Sequence, residues 1–238
     1  MKRTSVARFL VGIGDSELSL ILPQLMLLGF DLDRDEISIR EWCEAGTASR
    51  DQLAILAYAK LTSLGFIGKL DKVAAISIIE NNSDPDYLPA AYFRARLYFD
   101  IDANNLDYLD KSASEMQDLA VQNYPPAVCS LAFSLIDSKS NDVDAETLMS
   151  KAASLGAPDA LYWLANKYFV NDNKEGFRKG IEFLKRAAEG NYAAACAKLS
   201  DIYAFGKYGA EIDQQKARFY ENIYSRLSPS VDDLPAGT

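Results

Sequence analysis

The sequence predicts an all-α fold, a right-handed α-solenoid of about five helix-turn-helix repeats behind an N-terminal helical cap, and three observations carry that expectation. Four windows align without gaps and recur at intervals near 35 residues, at 81–95, 118–132, 151–165 and 186–200. Each holds Asp86, Asn123, Gly156 or Asn191 at its sixth place, residue types that tolerate the left-handed backbone just past a helix C-terminus. Gly 13 and Pro 8 together make about 9% of the 238 residues, below the ~12% of average usage, so turns are few and helices long.

Taken in order, residues 1–49 read as a cap over the open face of the first repeat. They comprise a helix over 16–28, bent near Pro23, and a second over 33–44 with Ile37, Ile39 and Trp42 as its apolar places. Residues 50–64 then form a first helix and 70–79 its partner, parted by the turn Gly65-Phe66-Ile67-Gly68. The windows open the later first helices. Pro89, Pro125, Pro126 and Pro158 suit a first turn, where a proline loses no intrahelical bond. The repeat alanines Ala90, Ala127, Ala160 and Ala195 let a neighbouring helix approach, and the small Ala95, Ala132, Ala165 and Ser200 repeat the device. Residues 144–154, 180–189 and 213–226 read as second helices, through Leu148/Ala152, Ile181/Leu184/Ala188 and Ala217/Tyr220/Tyr224. The solenoid thus spans 50–226, with its repeats clearest over 118–226, and 227–238 reads as a disordered tail.

These residues resemble the Sel-like repeat (SLR) family, α-solenoids related to tetratricopeptide repeats. Lys151, Ala152, Ala153, Gly156, Ala160, Leu164 and Tyr168 follow its pattern K-A-A-x-x-G-x-x-x-A-x-x-x-L-G-x-x-Y, with Ala165 in place of the second glycine. Ala187, Ala188, Asn191, Ala195, Leu199, Ser200 and Tyr203 continue it, and Gly206, Gly209, Ala210 and Asp213 resemble the loop that follows. The chain departs from the pattern at Asn171 to Glu175, which replace the glycine loop, and at Arg94, which takes a leucine place. The resemblance implies a protein-binding solenoid whose first helices line a concave face.

Composition narrows the chemistry. Lys plus Arg 25 against Asp plus Glu 34 leaves −9 of formal charge, a field that repels phosphate backbones and anionic membranes. Nucleic acid and membrane are not expected partners. With His 0, the Ser-His-Asp and Cys-His arrangements and His-ligated zinc are removed together. Cys43, Cys129 and Cys196 are too scattered for a disulfide framework or a metal pair and read as buried apolar residues. Asp31, Asp33 and Asp35 imitate the start of a calcium loop, but Glu36 and Trp42 stand where the turning glycine and last ligand belong. Gly12-Ile13-Gly14 lacks the third glycine of a nucleotide loop. Glu80, Asp84 and Asp86 read as a solvated turn, and Asp232 with Asp233 as part of the tail. We therefore expect no catalytic, metal or cofactor site. No stretch reads as a leader or a span, so a cytoplasmic location is expected.

The candidate site is a surface. Places two, six, nine and ten after each repeat alanine are expected to face the groove or its rim. They give Tyr92, Arg96, Phe99 and Asp100; Cys129, Phe133, Ile136 and Asp137; Tyr162, Asn166, Phe169 and Val170; and Ala197, Asp201, Ala204 and Phe205. The groove candidates are Tyr92, Arg96, Phe99, Phe133, Tyr162, Asn166, Phe169 and Asp201. Rigid rings with a few polar groups suit protein binding, because they bury much area at small entropic cost. The alternative for each ring is inter-helix core; Trp163 reads as repeat packing. The functional expectation is a non-catalytic module that binds a protein or peptide. A sharper alternative is an acidic immunity-type protein that neutralises a basic toxin or effector, and a remote one is an enzyme.

Overall fold

The computed structural model describes residues 40–102 except 42, 105–138, 142–170 and 173–227. Among these the secondary structure is helical throughout, with no strand. Two compact units, Met1–Gln122 and Asn123–Thr238, divide the chain.

In the first unit, 43–48 is helical and leads to the pair α1 (Gln52–Leu64) and α2 (Lys72–Asn82), then α3 (Leu88–Ile101) and α4 (Leu106–Val121). Sequence chemistry fixes several of these ends. The Asp51 carboxylate accepts from the Leu53 and Ala54 amides, Asp71 from Ala74, and Asn105 from Asp107 and Tyr108, so orphan donors at three helix starts are satisfied. Gly65 ends α1 at φ 78, a left-handed conformation that glycine adopts at no steric cost. The Gln52 carboxamide oxygen accepts from the Ser83 hydroxyl and the Asp84 amide, both at 2.8 Å, which ties the start of α1 to the end of α2. Leu56, Ala59, Ile76, Ile79, Ala90, Phe93 and Leu97 close the core.

The second unit holds three pairs: α5 (Pro125–Ser138) with α6 (Asp142–Ser154), α7 (Pro158–Val170) with α8 (Lys174–Glu189), and α9 (Ala193–Phe205) with α10 (Gln214–Leu227). The 3-10 turn Lys207–Gly209 links the last two helices. The repeat alanines Ala127, Ala160 and Ala195 are fully buried, and Cys129, Met149, Leu161, Leu184, Leu199 and Ile202 fill the space around them.

The predicted helix stops hold at three of four places. Asn123 and Asn191 sit at φ 60 and Gly156 at φ 90. At Gly156 and Asn191 the next amide reaches back across the stop, Ala157 to the Ala152 carbonyl at 2.9 Å and Tyr192 to Ala187 at 3.1 Å. The fourth expectation is corrected. Asp86 is not left-handed, because α2 already ends at Asn82 with Ser83 extended at φ −76, and Asp86 instead donates its amide to Asp84 Oδ1 in a local turn. The second helix expected at 180–189 begins earlier, at Lys174, because Asn173 Oδ1 accepts from the Gly176 amide and caps it. The polar Asn171-to-Glu175 segment that displaced the family's glycine loop thus supplies a helix start.

A register emerges across the pairs. Ser112, Ala145 and Gly180 stand at equal distance ahead of the stops Asn123, Gly156 and Asn191. All three are buried, as is Ala217 of α10, so each second helix crosses its partner at a small residue. One step away, Lys111, Lys179 and Lys216 lie 5.4, 5.8 and 5.3 Å over the rings of Tyr98, Tyr168 and Tyr203. Those tyrosines occupy one place in their repeats, and each stacks on a second ring, Tyr108, Phe183 or Tyr220. The Arg94 anomaly is explained here as well. Arg94 Nη2 and Glu115 Oε1 meet at 3.0 Å, and Glu115 occupies the register place that Phe183 takes in α8, so an ion pair stands where the later pair carries the apolar Leu164 and Phe183.

The predicted N-terminal helices at 16–28 and 33–44 lie almost wholly outside the described residues, as do Asp31, Asp33, Asp35, Gly12 to Gly14 and the tail with Asp232 and Asp233. Among the described residues of 1–49, Cys43 is fully buried, its thiol pushed up to about 12 by burial and then by Glu44. Cys129 is held likewise at about 12, chiefly by burial, with its sulfur 3.9 Å from Met149 Sδ.

Candidate functional site

Two first helices of the second unit, α7 and α9, meet at Lys198. Its ammonium on α9 reaches back to α7, donates to Asn166 Oδ1, and lies 5.0 Å from the Phe169 ring centroid and 5.8 Å from that of Tyr162. Burial, with Lys207 adding repulsion, holds this ammonium below its ordinary value. Asn166 donates in turn to the Tyr162 carbonyl at 3.0 Å, which orients its oxygen toward the lysine. The Tyr162 ring lies 5.2 Å from Tyr192. Three sequence-predicted residues, Tyr162, Asn166 and Phe169, are thus brought together by one that sequence reasoning missed. Lys198 stands three places after the repeat alanine rather than two, and only its length carries it back to α7.

The other candidates divide by burial. Phe169 is 8% exposed, seated against Gly180 and covered by Tyr208, whose ring is stacked 4.1 Å away. Tyr92 is buried and Arg96 half-buried in the first unit, where Phe99 stands out at 58% exposure. Phe133 on α5 is 38% exposed. Asp201 is exposed on α9 and bound to Lys207 at 3.0 Å. Two apolar residues outside the eight candidates stand further out, Val170 at 81% and Phe205 at 68%. Phe99, Phe133, Val170 and Phe205 therefore give each of four consecutive first helices an exposed large apolar residue in its C-terminal half.

Glu115 is held above the ordinary carboxylate value by burial, against the lowering effect of Arg94, and its geometry is that of a pair within the helix layer. The Tyr98 hydroxyl donates to Glu80 Oε1 at 2.6 Å, and burial followed by that bond raises its pKa. Among the described residues no cluster of three or more carboxylates and thiols could hold a metal ion, and no helix is long and apolar enough to cross a membrane.

No family model matches the chain. Solved structures do resemble it. A Pseudomonas aeruginosa protein, PA5086, aligns with TM-score 0.57 at 20% identity over 82% of this chain and 78% of its own. The antigen c5321, described as a protective antigen present in uropathogenic Escherichia coli strains displaying an SLR fold, aligns with TM-score 0.52 at 22% identity. That alignment covers 86% of this chain and 44% of c5321. The chain therefore has the SLR fold. In sequence, 49 residues, 21% of the chain, are 49% identical to a stretch of the localization factor PodJL of Caulobacter vibrioides. The chain spans only about 5% of the length of that curated relative.

Proposed function

We propose that this protein is a non-catalytic interaction module that grips a protein or peptide segment along the exposed faces of its first helices. The recurrence of an exposed large apolar residue, Phe99, Phe133, Val170 and Phe205, on four consecutive first helices carries the reading. They stand nine, six, ten and ten places after their repeat alanines, so what recurs is an exposed apolar residue toward the C-terminal end of each first helix rather than one fixed place. In the second unit Tyr162, Asn166 and Lys198 add a partly desolvated cation among rings, the kind of anchor that dominates binding energy. In the first unit the half-buried Arg96 and the exposed Phe99 stand three residues apart on α3, a spacing that puts them on one side of the helix. The partner that fits such a face offers apolar side chains together with carboxylate or carbonyl groups.

The test is titration calorimetry against the partner recovered from a native lysate, with circular dichroism confirming the fold of each variant. Phe133→Ala and Tyr162→Ala are each expected to weaken binding by ~1–3 kcal/mol, Arg96→Ala to weaken it as well, and Lys185→Ala on the second-helix side to change little. Unchanged affinity across all three groove variants overturns the reading.

The charge of −9 favours a sharper form, the neutralisation of a basic protein such as a toxin or effector. Its mark is a fast association that slows steeply with added salt. An association rate indifferent to salt leaves the general reading and removes this form.

A further inference from the structure

We propose that the cleft between α6 and α8 is a second binding site, one that takes a peptide segment carrying a carboxylate beside an aromatic side chain. It lies wholly within the second unit, has a volume of about 500 Å³, and falls in the ~300–1,000 Å³ range of ligand clefts. It shares no residue with the first-helix surface proposed above and does not rest on it. Leu164 and Ala153, both buried, supply apolar lining, and the stacked rings of Tyr168 and Phe183, 5.5 Å apart, supply a flat aromatic wall.

The polar groups select the occupant. Arg186 on α8 is fixed in place, donating from Nη2 to the Ala153 carbonyl at 3.2 Å with its guanidinium 5.7 Å over Phe183. Among the described residues no carboxylate pairs with it, so a planar fork of donors held over an aromatic ring faces the cleft without its natural counter-ion. Lys167, the other cation of the lining, is already paired with Glu146 of α6. In a chain of −9, α8 alone carries five basic residues, Lys174, Arg178, Lys179, Lys185 and Arg186, against Glu175, Glu182 and Glu189. An anionic occupant is therefore matched to this helix and mismatched to the chain as a whole. Glu146 makes the occupant a peptide rather than a free carboxylate. With Glu146 neutralised by Lys167, a small anion would gain Arg186 alone, whereas a peptide places its carboxylate on Arg186, its ring against the Tyr168–Phe183 wall, and a backbone amide on the half-exposed Glu146 carboxylate.

The probes are capped dipeptides titrated into the full chain labelled with nitrogen-15, read by amide chemical shifts up to about 10 mM, where millimolar dissociation constants are measurable. N-acetyl-aspartyl-phenylalanine amide is expected to shift the amides of Ser150, Leu164, Lys167, Phe183 and Arg186. The asparaginyl analogue should bind at least about tenfold more weakly. Arg186→Gln should lose the aspartyl preference, and Arg186→Lys, which keeps the charge but not the fork, should keep part of it. Should Arg186→Gln fail to fold, the aspartyl-to-asparaginyl ratio on the unaltered chain and on Arg186→Lys decides. Four outcomes overturn the proposal: no shifts with either dipeptide, equal binding of the two, shifts confined to Tyr162, Asn166 and Lys198, or 3-phenylpropionate binding as tightly as the aspartyl probe.

Discussion

Phe99 and Phe169 occupy the same place, nine after the repeat alanine, in α3 and α7, yet one is 58% exposed and the other 8%. Their helices carry similar sequences, each with a tyrosine a step earlier that stacks on a ring of the paired helix, so the difference lies in what stands opposite. Opposite Phe169 is Gly180, and a Cβ built there would come within 2.5 Å of the ring. In α4 the register place of Gly180 belongs to Ser112, which has that Cβ. Phe169 is also roofed by Tyr208 from the 3-10 turn. A repeat thus fixes which way a side chain points, while one missing carbon and one loop residue decide whether it becomes core or surface.

The largest expected contrast is between the two truncations. Phe169→Ala removes a closely packed ring and should cost ~3–5 kcal/mol, whereas Phe99→Ala should stay within ~0.5 kcal/mol. Urea midpoints at constant slope measure both. Equal losses at the two positions would mean that Phe99 is as deeply packed as Phe169.

Gly180→Ala sharpens the explanation. Overpacking against Phe169 should cost ~1–3 kcal/mol, partly offset by the ~1 kcal/mol that alanine gains over glycine inside a helix. The net sign is destabilising because the ring, held by Tyr208 and crossed by Lys198, has little room to retreat. In a Phe169→Ala background the clash is gone, and the same substitution should become stabilising. A sign that does not reverse removes Gly180 as the cause.

These two positions also mark the limit of what the sequence discloses. Helix pairing, the crossing alanines and three of the four stops were legible because each depends on residue type at fixed spacing within one repeat. The start of α8 at Lys174 was missed because a polar run looks like a loop until Asn173 is recognised as a cap. Phe99 and Phe169 were expected to be alike because periodicity sees one helix at a time. The partners that separate them, Gly180 and Tyr208, belong to later elements. Lys198 was missed for a related reason: it lies one place off the expected stripe, and its length carries its charge to Asn166.

A second contrast between the units is electrostatic. Arg94 and Glu115 stand in the first unit at the places held by Leu164 and Phe183 in the second. Burial raises the Glu115 pKa above its ordinary 4.5, and Arg94 offsets only part of that rise. The folded state then binds the proton more tightly than the unfolded one. Glu115 accordingly favours folding at low pH, and that contribution is lost as pH rises from 4.5 through the raised value. Melts of the unaltered chain and Glu115→Gln across this window should converge at its acid end on one difference and diverge toward neutral pH, with the glutamine variant the less pH-sensitive. The effect should be smaller than those above, since about a quarter of each side chain remains in water. Parallel pH profiles would remove Glu115 as a contributor.

At Tyr208 two effects oppose. Its backbone is left-handed at φ 55, a conformation that costs a side-chain-bearing residue ~1–2 kcal/mol and glycine almost nothing. Its ring meanwhile stacks on Phe169 at 4.1 Å and tilts against Phe177 at 5.3 Å, contacts worth ~0.5–1.5 kcal/mol each beyond buried area. Tyr208→Gly exchanges the contacts, ~1–3 kcal/mol together, for ~1–2 kcal/mol of backbone relief, so the unfolding free energy should move by no more than ~2 kcal/mol. Phe169 should nevertheless become accessible, which a paramagnetic solvent probe reads as faster relaxation of its ring protons. Tyr208→Ala keeps the backbone cost and loses the ring, and should be the less stable of the two variants. If Phe169 stays protected in Tyr208→Gly, Gly180 alone accounts for its burial, and the contrast with Phe99 reduces to the single Cβ of Ser112.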